Sequence, residues 1–305
     1  SSIRQGNAVI AIKDVSDAIL WSWHVWVTDE DINNVIEITN HQNVKYNFMP
    51  VNLGQCDGNT ITYEERSCKV KFIAGDQSKE ITIKQLANVI ATGSNAPFYQ
   101  WGRKDPLYPS NGMGNTTKIW YDKEGIPSTA NPMKGTFSAG NDCIKNCILN
   151  PNLMHNRYNG DYTYYNLWSA DNKTTSANDN PVNKTIYDPC SVGFKLPASN
   201  AFTGFTTTGE SVSSSTQVNG TWSSSEKGWY FYTNSEKTQS IFFPALGYRS
   251  YSTMRPGSIG TQGCFWSAHP VAKGNNYYLR TSSVDVQPTY MVDRGFGYAL
   301  RPCQD

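Results

Sequence analysis

The chain has 305 residues, of which 38% are hydrophobic, enough to bury a core in one large domain or two ordinary ones. Its 26 Lys and Arg balance 25 Asp and Glu to a net charge of +1, which argues against nucleic acid or an anionic membrane surface as partner. No stretch reaches the roughly 18 apolar residues of a membrane span, the first residues hold no signal-peptide core, and the front end reads as cut. With 17% charged and 13% aromatic residues, Ser, Thr, Asn and Gly must cover much of the surface, a balance common in secreted proteins of mostly β structure.

NAVIAIKDVSDAILWSWHVWVT, residues 7–28, predicts a β-hairpin turning at Asp14–Asp17. On its return strand Trp21, Trp23, Val25 and Val27 share one face, and Leu20, Ser22, His24 and Trp26 the other. Both faces carry large apolar groups, so the strand is expected to be covered on both sides, as in a central strand or a domain junction. CKVKFIAGDQSKEITIK predicts a second hairpin, with Val70 and Phe72 facing Ile81 and Ile83 across a turn at Asp76–Lys79.

A region rich in Gly, Pro and Asn follows, reaching to about Asp188, with short helices expected at QLANVIAT (85–92) and DCIKNCIL (142–149), the latter capped by Asn141 or Asp142. The last third reads as a series of short strands: GTWSSS, KGWYFYTN, QSIFFPALGYRS, GCFWSAHP, NNYYLRTSSVDVQ and GFGYALRPC. The pattern is that of an α+β fold, mostly β, with long irregular loops.

The seven cysteines form no C-x-x-C or His-pair spacing of zinc type, so disulfides and an oxidising compartment are expected, and no metal or cofactor. Cys56 and Cys68 are a preferred pair across a short loop. Cys143 and Cys147 fall on one helix face at a spacing near the limit of disulfide geometry; either they bridge, or one is a small buried apolar residue.

None of the four histidines, His24, His41, His155 and His269, sits in a nucleophile or metallohydrolase motif, and no carboxylate pair stands out. The aromatic residues are the positive signal for a ligand. Sugar rings stack on Trp and Tyr while polar side chains bond their hydroxyls, and Trp222, Trp229, Tyr230, Tyr251, Arg255 and Tyr290 lie in or beside predicted loops.

IYDPCSVGFKLP with Cys190, Gly193 and Pro197, FPALGYRS with Gly247 and Arg249, FWSAHP with Trp266, and GFGYALRPC with Cys303 occur in an order that resembles FISUMP-type domains. These are C-type-lectin-like domains of fimbrillin-family pilus tip proteins and surface lipoproteins of gut Bacteroides-type bacteria. Upstream, PFYQWGRKDPLYPS resembles the segment leading into such domains. The resemblance implies a C-type-lectin-like domain over 41–305, preceded by a β-hairpin over 1–40 at the end of, or junction with, a missing fimbrillin-type domain. It also implies a disulfide between Cys190 and Cys303, and burial for Trp266 and Arg249.

Its functional implication is a non-enzymatic extracellular adhesin at a pilus tip. The partners would be other pilus subunits and a host or bacterial glycan or surface protein. The alternatives are a structural cap without ligand or a secreted carbohydrate-active enzyme. Calcium-dependent lectins carry Glu-Pro-Asn or Gln-Pro-Asp and Trp-Asn-Asp, whereas this chain has Gln287-Pro288-Thr289, so a calcium-bridged sugar site is not expected. Formylglycine-generating enzymes, which the fold also resembles, use paired reactive cysteines, whereas Cys303 reads as structural. Only Gln304 and Asp305 follow Cys303, which leaves no tail for strand donation if that cysteine is bridged, hence the tip.

Overall fold

In the computed structural model, which describes residues 5–56, 61–90, 96–108, 120–121, 126–128, 133–136, 140–155, 167–170, 173–271 and 274–305, the chain is mostly β. The first expected hairpin forms as β1 (Gly6–Lys13) and β2 (Ile19–Val27). Asp14 closes the turn, its Oδ1 accepting from the N–H groups of Ser16 and Ala18, while Asp17 takes a φ of 70°. Asn7, Ser22, His24 and Trp26 dock the hairpin on the body through Gly54, Asp105, Tyr99 and Gln55. Cover is incomplete on both faces, with Trp23 46% and Ile12 52% exposed on one and Val9 41% and Leu20 53% on the other, so this is a half-buried ribbon rather than a strand covered on both sides.

A short hairpin of β3 (Ile36–Thr39) and β4 (Lys45–Phe48) follows, and the expected boundary at residue 40 falls in its turn. Strand β5 (Ile61–Tyr63) leads to β6 (Arg66–Ala74) and β7 (Gln77–Gln85), the second expected hairpin. Its turn is the two-residue Gly75–Asp76, with Gly75 at φ 59°, so Val70 faces Ile81 but Phe72 faces Lys79 and Cys68 faces Ile83. The segment expected as a helix over 85–92 instead contributes β8 (Asn88–Ile90), antiparallel to β5. Val89 and Ile90 are β-branched, and eight residues are too few to offset helix nucleation when a strand partner is available.

Strand β9 (Tyr99–Gln100) opens the central segment. The pair β10 (Trp120–Tyr121) and β11 (Pro127–Ser128) follows, then a parallel unit: β12 (Lys134–Thr136), helix α1 (Gly140–Leu149) and β13 (Leu153–His155). The second expected helix is thus present, but it begins at Gly140, so Asn141 and Asp142 lie in its first turn rather than at its cap. After β14 (Phe194–Lys195) come the antiparallel meander β15 (Gly220–Ser223), β16 (Gly228–Tyr232) and β17 (Ser240–Pro244), and the pair β18 (Tyr248–Arg249) and β19 (Pro256–Gly257). A second meander comprises β20 (Gly263–Pro270), β21 (Asn275–Thr281) and β22 (Val286–Asp293), before β23 (Gly297–Tyr298) and β24 (Cys303–Gln304). Strand β24 lies between β14 and β4 in a four-stranded sheet, and β23 lies between β18 and β9 in another, so the end of the chain pairs with its early strands.

Two aromatic clusters fill the interior. Phe243 is the hub of one, at ring distances of 5.0 Å from Phe205, 4.9 Å from Phe265 and 5.7 Å from Phe231. Trp266 centres the other, 4.4 Å from Tyr298, with its Nε1–H donating to the Tyr99 carbonyl at 2.8 Å. Each such side chain contributes about 1.5–3 kcal/mol of burial. Gly247 of the FPALGYRS stretch has φ 73° and would place a Cβ 2.2 Å from the Gly257 carbonyl oxygen, so the close approach of β18 and β19 requires glycine there.

Arg249 and Trp266 are both buried, as the resemblance implies. Arg249 donates to the carbonyls of Tyr108 and Met254; Arg301 donates to those of Met49, Pro50 and Phe242. These guanidinium groups satisfy carbonyls of irregular segments and, at Phe242, one of the edge strand β17.

The expected disulfides are corrected by the structure, in which no two of the seven cysteines stand at bridging distance. Cys56 is buried beneath β1, its Sγ 3.4 Å from Asn7 Nδ2, while Cys68 is carried off on the β6–β7 ribbon. Cys190 follows a turn organised by Asp188 and Lys184, and Cys303 sits opposite Lys195 on β24. Burial pushes the Cys303 thiol up to about 12 and holds that of Cys190 well above its usual range. Both are buried thiols rather than the two ends of a staple.

Candidate functional site

Strand alternation in GWYFY turns Trp229 and Phe231 into the core and Tyr230 and Tyr232 outward. Register then sets Tyr230 opposite Phe242 on β17 and Thr221 on β15. The Tyr230 and Phe242 rings lie 4.7 Å apart. Polar groups frame this aromatic face: Tyr230 donates to Glu226 Oε1 at 2.8 Å, Ser223 Oγ donates to Glu226 Oε2 at 2.9 Å, and Tyr232 Oη lies 2.6 Å from Thr221 Oγ1. The bond to Glu226 raises the Tyr230 phenol above its usual range, so it stays a neutral donor. Lys237 Nζ stands 5.6 Å from the centre of the Tyr232 ring.

Tyr232 also lines a cleft of about 280 Å³ with Ile38, Thr39, Asn219, Thr233, Asn234 and Ser235. That is near the lower end of small-molecule pockets, which span about 300–1,000 Å³. The rim is pre-built. Asn234 Oδ1 accepts from the N–H groups of Thr238 and Gln239, and Asn219 Nδ2 donates to the carbonyls of Gly204 and Tyr232. A ring that can stack beside amides and hydroxyls already ordered is suited to a neutral polyhydroxylated ligand, because little side-chain entropy remains to be lost on binding.

The six residues expected to contact ligand do not converge. Tyr230 is on the aromatic face. Trp222 is half-buried on the inner side of the same sheet, 5.9 Å from Trp229. Trp229 is a core residue, 1% exposed, with Nε1–H donating to the Ser282 carbonyl at 2.7 Å, which corrects its expected place at a loop surface. Tyr251 packs edge-on against Phe296 at 4.8 Å, and Arg255 is exposed in the same turn between β18 and β19. Tyr290 lies on β22, 44% exposed, with the Arg280 guanidinium 5.8 Å from its ring. Tyr232, Phe242, Asn219, Thr233 and Asn234 were missed. Period-two alternation through GWYFYTN could have separated the outward tyrosines from the inward tryptophan.

His24 and His269 sit in polar knots, whereas His41 is exposed. His24 Nδ1 lies 2.8 Å from Tyr99 Oη and its Nε2 lies 2.8 Å from Asn7 Oδ1. Burial lowers it to about 4, outweighing the Asp105 charge that favours its protonated form. His269 is likewise lowered to about 4 by burial, and its Nδ1 lies 3.2 Å from Ser199 Oγ. A serine beside a histidine offers a nucleophile and a base, but both are fully buried and Ser199 Oγ also bonds the Asn178 backbone, so the pair holds a loop rather than facing a substrate. Lys104, Asp105 and Ser22 form a third knot, with Lys104 Nζ 2.6 Å from Asp105 Oδ2.

One group of potential metal ligands occurs among the described residues: Cys143 and Cys147 of α1 with His155 of β13, their ligand atoms within 4.8 Å of one another. A hydrogen bond to Cys143, and then burial, holds the Cys147 thiol well above its usual range, against opposing contributions from Arg103 and His155. The C-x3-C-x7-H spacing was visible in the sequence. It lacks the zinc-finger intervals that would mark it out. Compared with known proteins, the chain matches no family, no curated protein and no solved structure.

Proposed function

We propose that the chain is a non-enzymatic adhesin of the cell surface, the tip subunit of a pilus, which binds a glycan through the outward face of β15–β17 and its adjoining cleft. The observation that carries this reading is the union of the Tyr230, Tyr232 and Phe242 rings with a pre-ordered polar rim on one side of the molecule. The likeness of the cysteine-, glycine- and tryptophan-bearing stretches to FISUMP-type domains supports the placement on a pilus, with other pilus subunits as partners. Binding on this reading is independent of calcium, since stacking and amide or hydroxyl bonds do the work.

A glycan array probed with the chain tests it. Binding should occur with and without added calcium, and Tyr230→Ala with Tyr232→Ala should weaken it by tenfold or more, about 1.4 kcal/mol. Absence of binding to any glycan overturns the adhesin reading in favour of a structural cap. Cleaved products on the array overturn it in favour of a carbohydrate-active enzyme.

A further inference from the structure

Helix α1 places Cys143 and Cys147 one turn apart on the same face, and β13 brings His155 against them. The frame around these three residues is built from interior side chains. Gln100 clamps the His155 backbone on both sides, its Oε1 accepting from the N–H at 2.9 Å and its Nε2 donating to the carbonyl at 2.7 Å. Arg103 donates to the carbonyls of Asn150, Pro151 and Leu153, which ties the end of α1 to the start of β13.

Two thiols and an imidazole are donors for a thiophilic cation, not for calcium or magnesium. With Zn–S near 2.3 Å and Zn–N near 2.0 Å, tetrahedral coordination asks for donor separations of about 3.5–3.8 Å. The present maximum of 4.8 Å therefore closes with movements of about 1 Å at most. A disulfide asks for more. Residues one helical turn apart hold their Cβ atoms about 5–6 Å from each other, whereas a bridge needs about 3.5–4.5 Å. Oxidation would have to open the helix, while a cation fits the helix intact.

We propose that Cys143, Cys147 and His155 bind one Zn2+ ion that pins α1 to β13, with a water or other exogenous ligand as the fourth donor. Binding releases the two thiol protons, leaving Zn2+, two thiolates and a neutral imidazole with no net charge. That suits a neighbourhood in which Arg103 and Lys104 already place positive charge near Cys147, that of Lys104 countered by Asp105. The site is independent of the glycan-binding face.

The test uses the full chain, reduced and stripped of metal, titrated with Zn2+ against a chromophoric competitor and with Co2+ by absorbance. One Zn2+ per chain is expected, with a thiolate-to-Co2+ charge-transfer band and a rise in melting temperature that saturates at one equivalent. Cys143→Ser, Cys147→Ser and His155→Ala should each weaken binding by at least about tenfold, the loss that even a change in a supporting shell brings, whereas Cys68→Ser should not. Where a variant fails to fold, alkylation of the unmutated chain decides the matter, and one equivalent of Zn2+ should protect Cys143 and Cys147. Unprotected thiols, binding unchanged in both serine variants, or absence of the thiolate band would overturn the site.

Discussion

Strands β6 and β20 are antiparallel, nine and eight residues long, and each carries aromatic or branched apolar side chains; yet every residue of β20 is buried and no residue of β6 is. Each pairs antiparallel with a neighbouring strand, β6 on one edge only, while β20 is also bonded on its other edge to Ala299 and Pro197; these bonds alone do not set the difference in burial. Packing does. Strand β20 passes between the two aromatic clusters, contributing Phe265 to one and Trp266 to the other. The ribbon of β6 and β7 pairs with itself and leaves Phe72 46% and Ile73 68% exposed near its turn. A two-stranded ribbon of this kind contributes little stability of its own.

The largest effect should come from Trp266→Ala. It removes a fully buried ring that touches Tyr278 and Tyr298, together with a bond to Tyr99, and should cost about 3–5 kcal/mol in urea unfolding. A loss below about 1 kcal/mol would break the comparison by showing that β20 tolerates a cavity.

Acid should sharpen it. Burial lowers His269, near the end of β20, from 6.5 to about 4, so the folded chain keeps it neutral while the unfolded chain takes up a proton. The stability it contributes is complete above about pH 6.5 and is lost as pH falls toward 4, by up to about 3 kcal/mol in all. His24, lowered to about 4, acts in the same window. The slope of stability against pH between 4 and 6.5 should flatten in His269→Gln; an unchanged slope would remove His269 from the account. The ribbon offers no counterpart beyond surface ion pairs such as Lys69–Glu80.

The smallest effect belongs to the ribbon. Phe72→Ser combined with Ile73→Thr should shift stability by no more than about 0.5 kcal/mol, and the amides of β6 should exchange well before those of β20. A loss above about 2 kcal/mol would mean that the exposed end of the ribbon packs against something.

Elements with a strong local signal were legible in the sequence. The β1–β2 hairpin has a β-branched run, an Asp-closed turn and an aromatic return, and α1 has a polar start before DCIKNCIL; both occur where expected. Registers and partners were less legible. The β6–β7 turn is the two-residue Gly75–Asp76, which moves Phe72 from opposite Ile83 to opposite Lys79, and QLANVIAT yields to strand pairing with a segment 25 or more residues earlier in the chain. At the candidate site, aromatic content pointed to the sheet of β15–β17 through Trp222, Trp229 and Tyr230, but residue type alone could not say which rings faced outward.

The sequence by itself determined the kinds of the strongly patterned elements, though not that of QLANVIAT, because period, β-branching and turn chemistry act over a few residues. It also determined a nearly neutral surface covered largely by uncharged polar residues, because composition leaves few charges to cover it. Only the tertiary structure decided that Trp229 is core while Tyr232 lines a cleft, that Cys190 and Cys303 remain apart, and that His155 joins Cys143 and Cys147. Those outcomes depend on where packing sets backbones that are distant in the chain, and one ångström of placement separates a bridge, a metal site and a buried thiol.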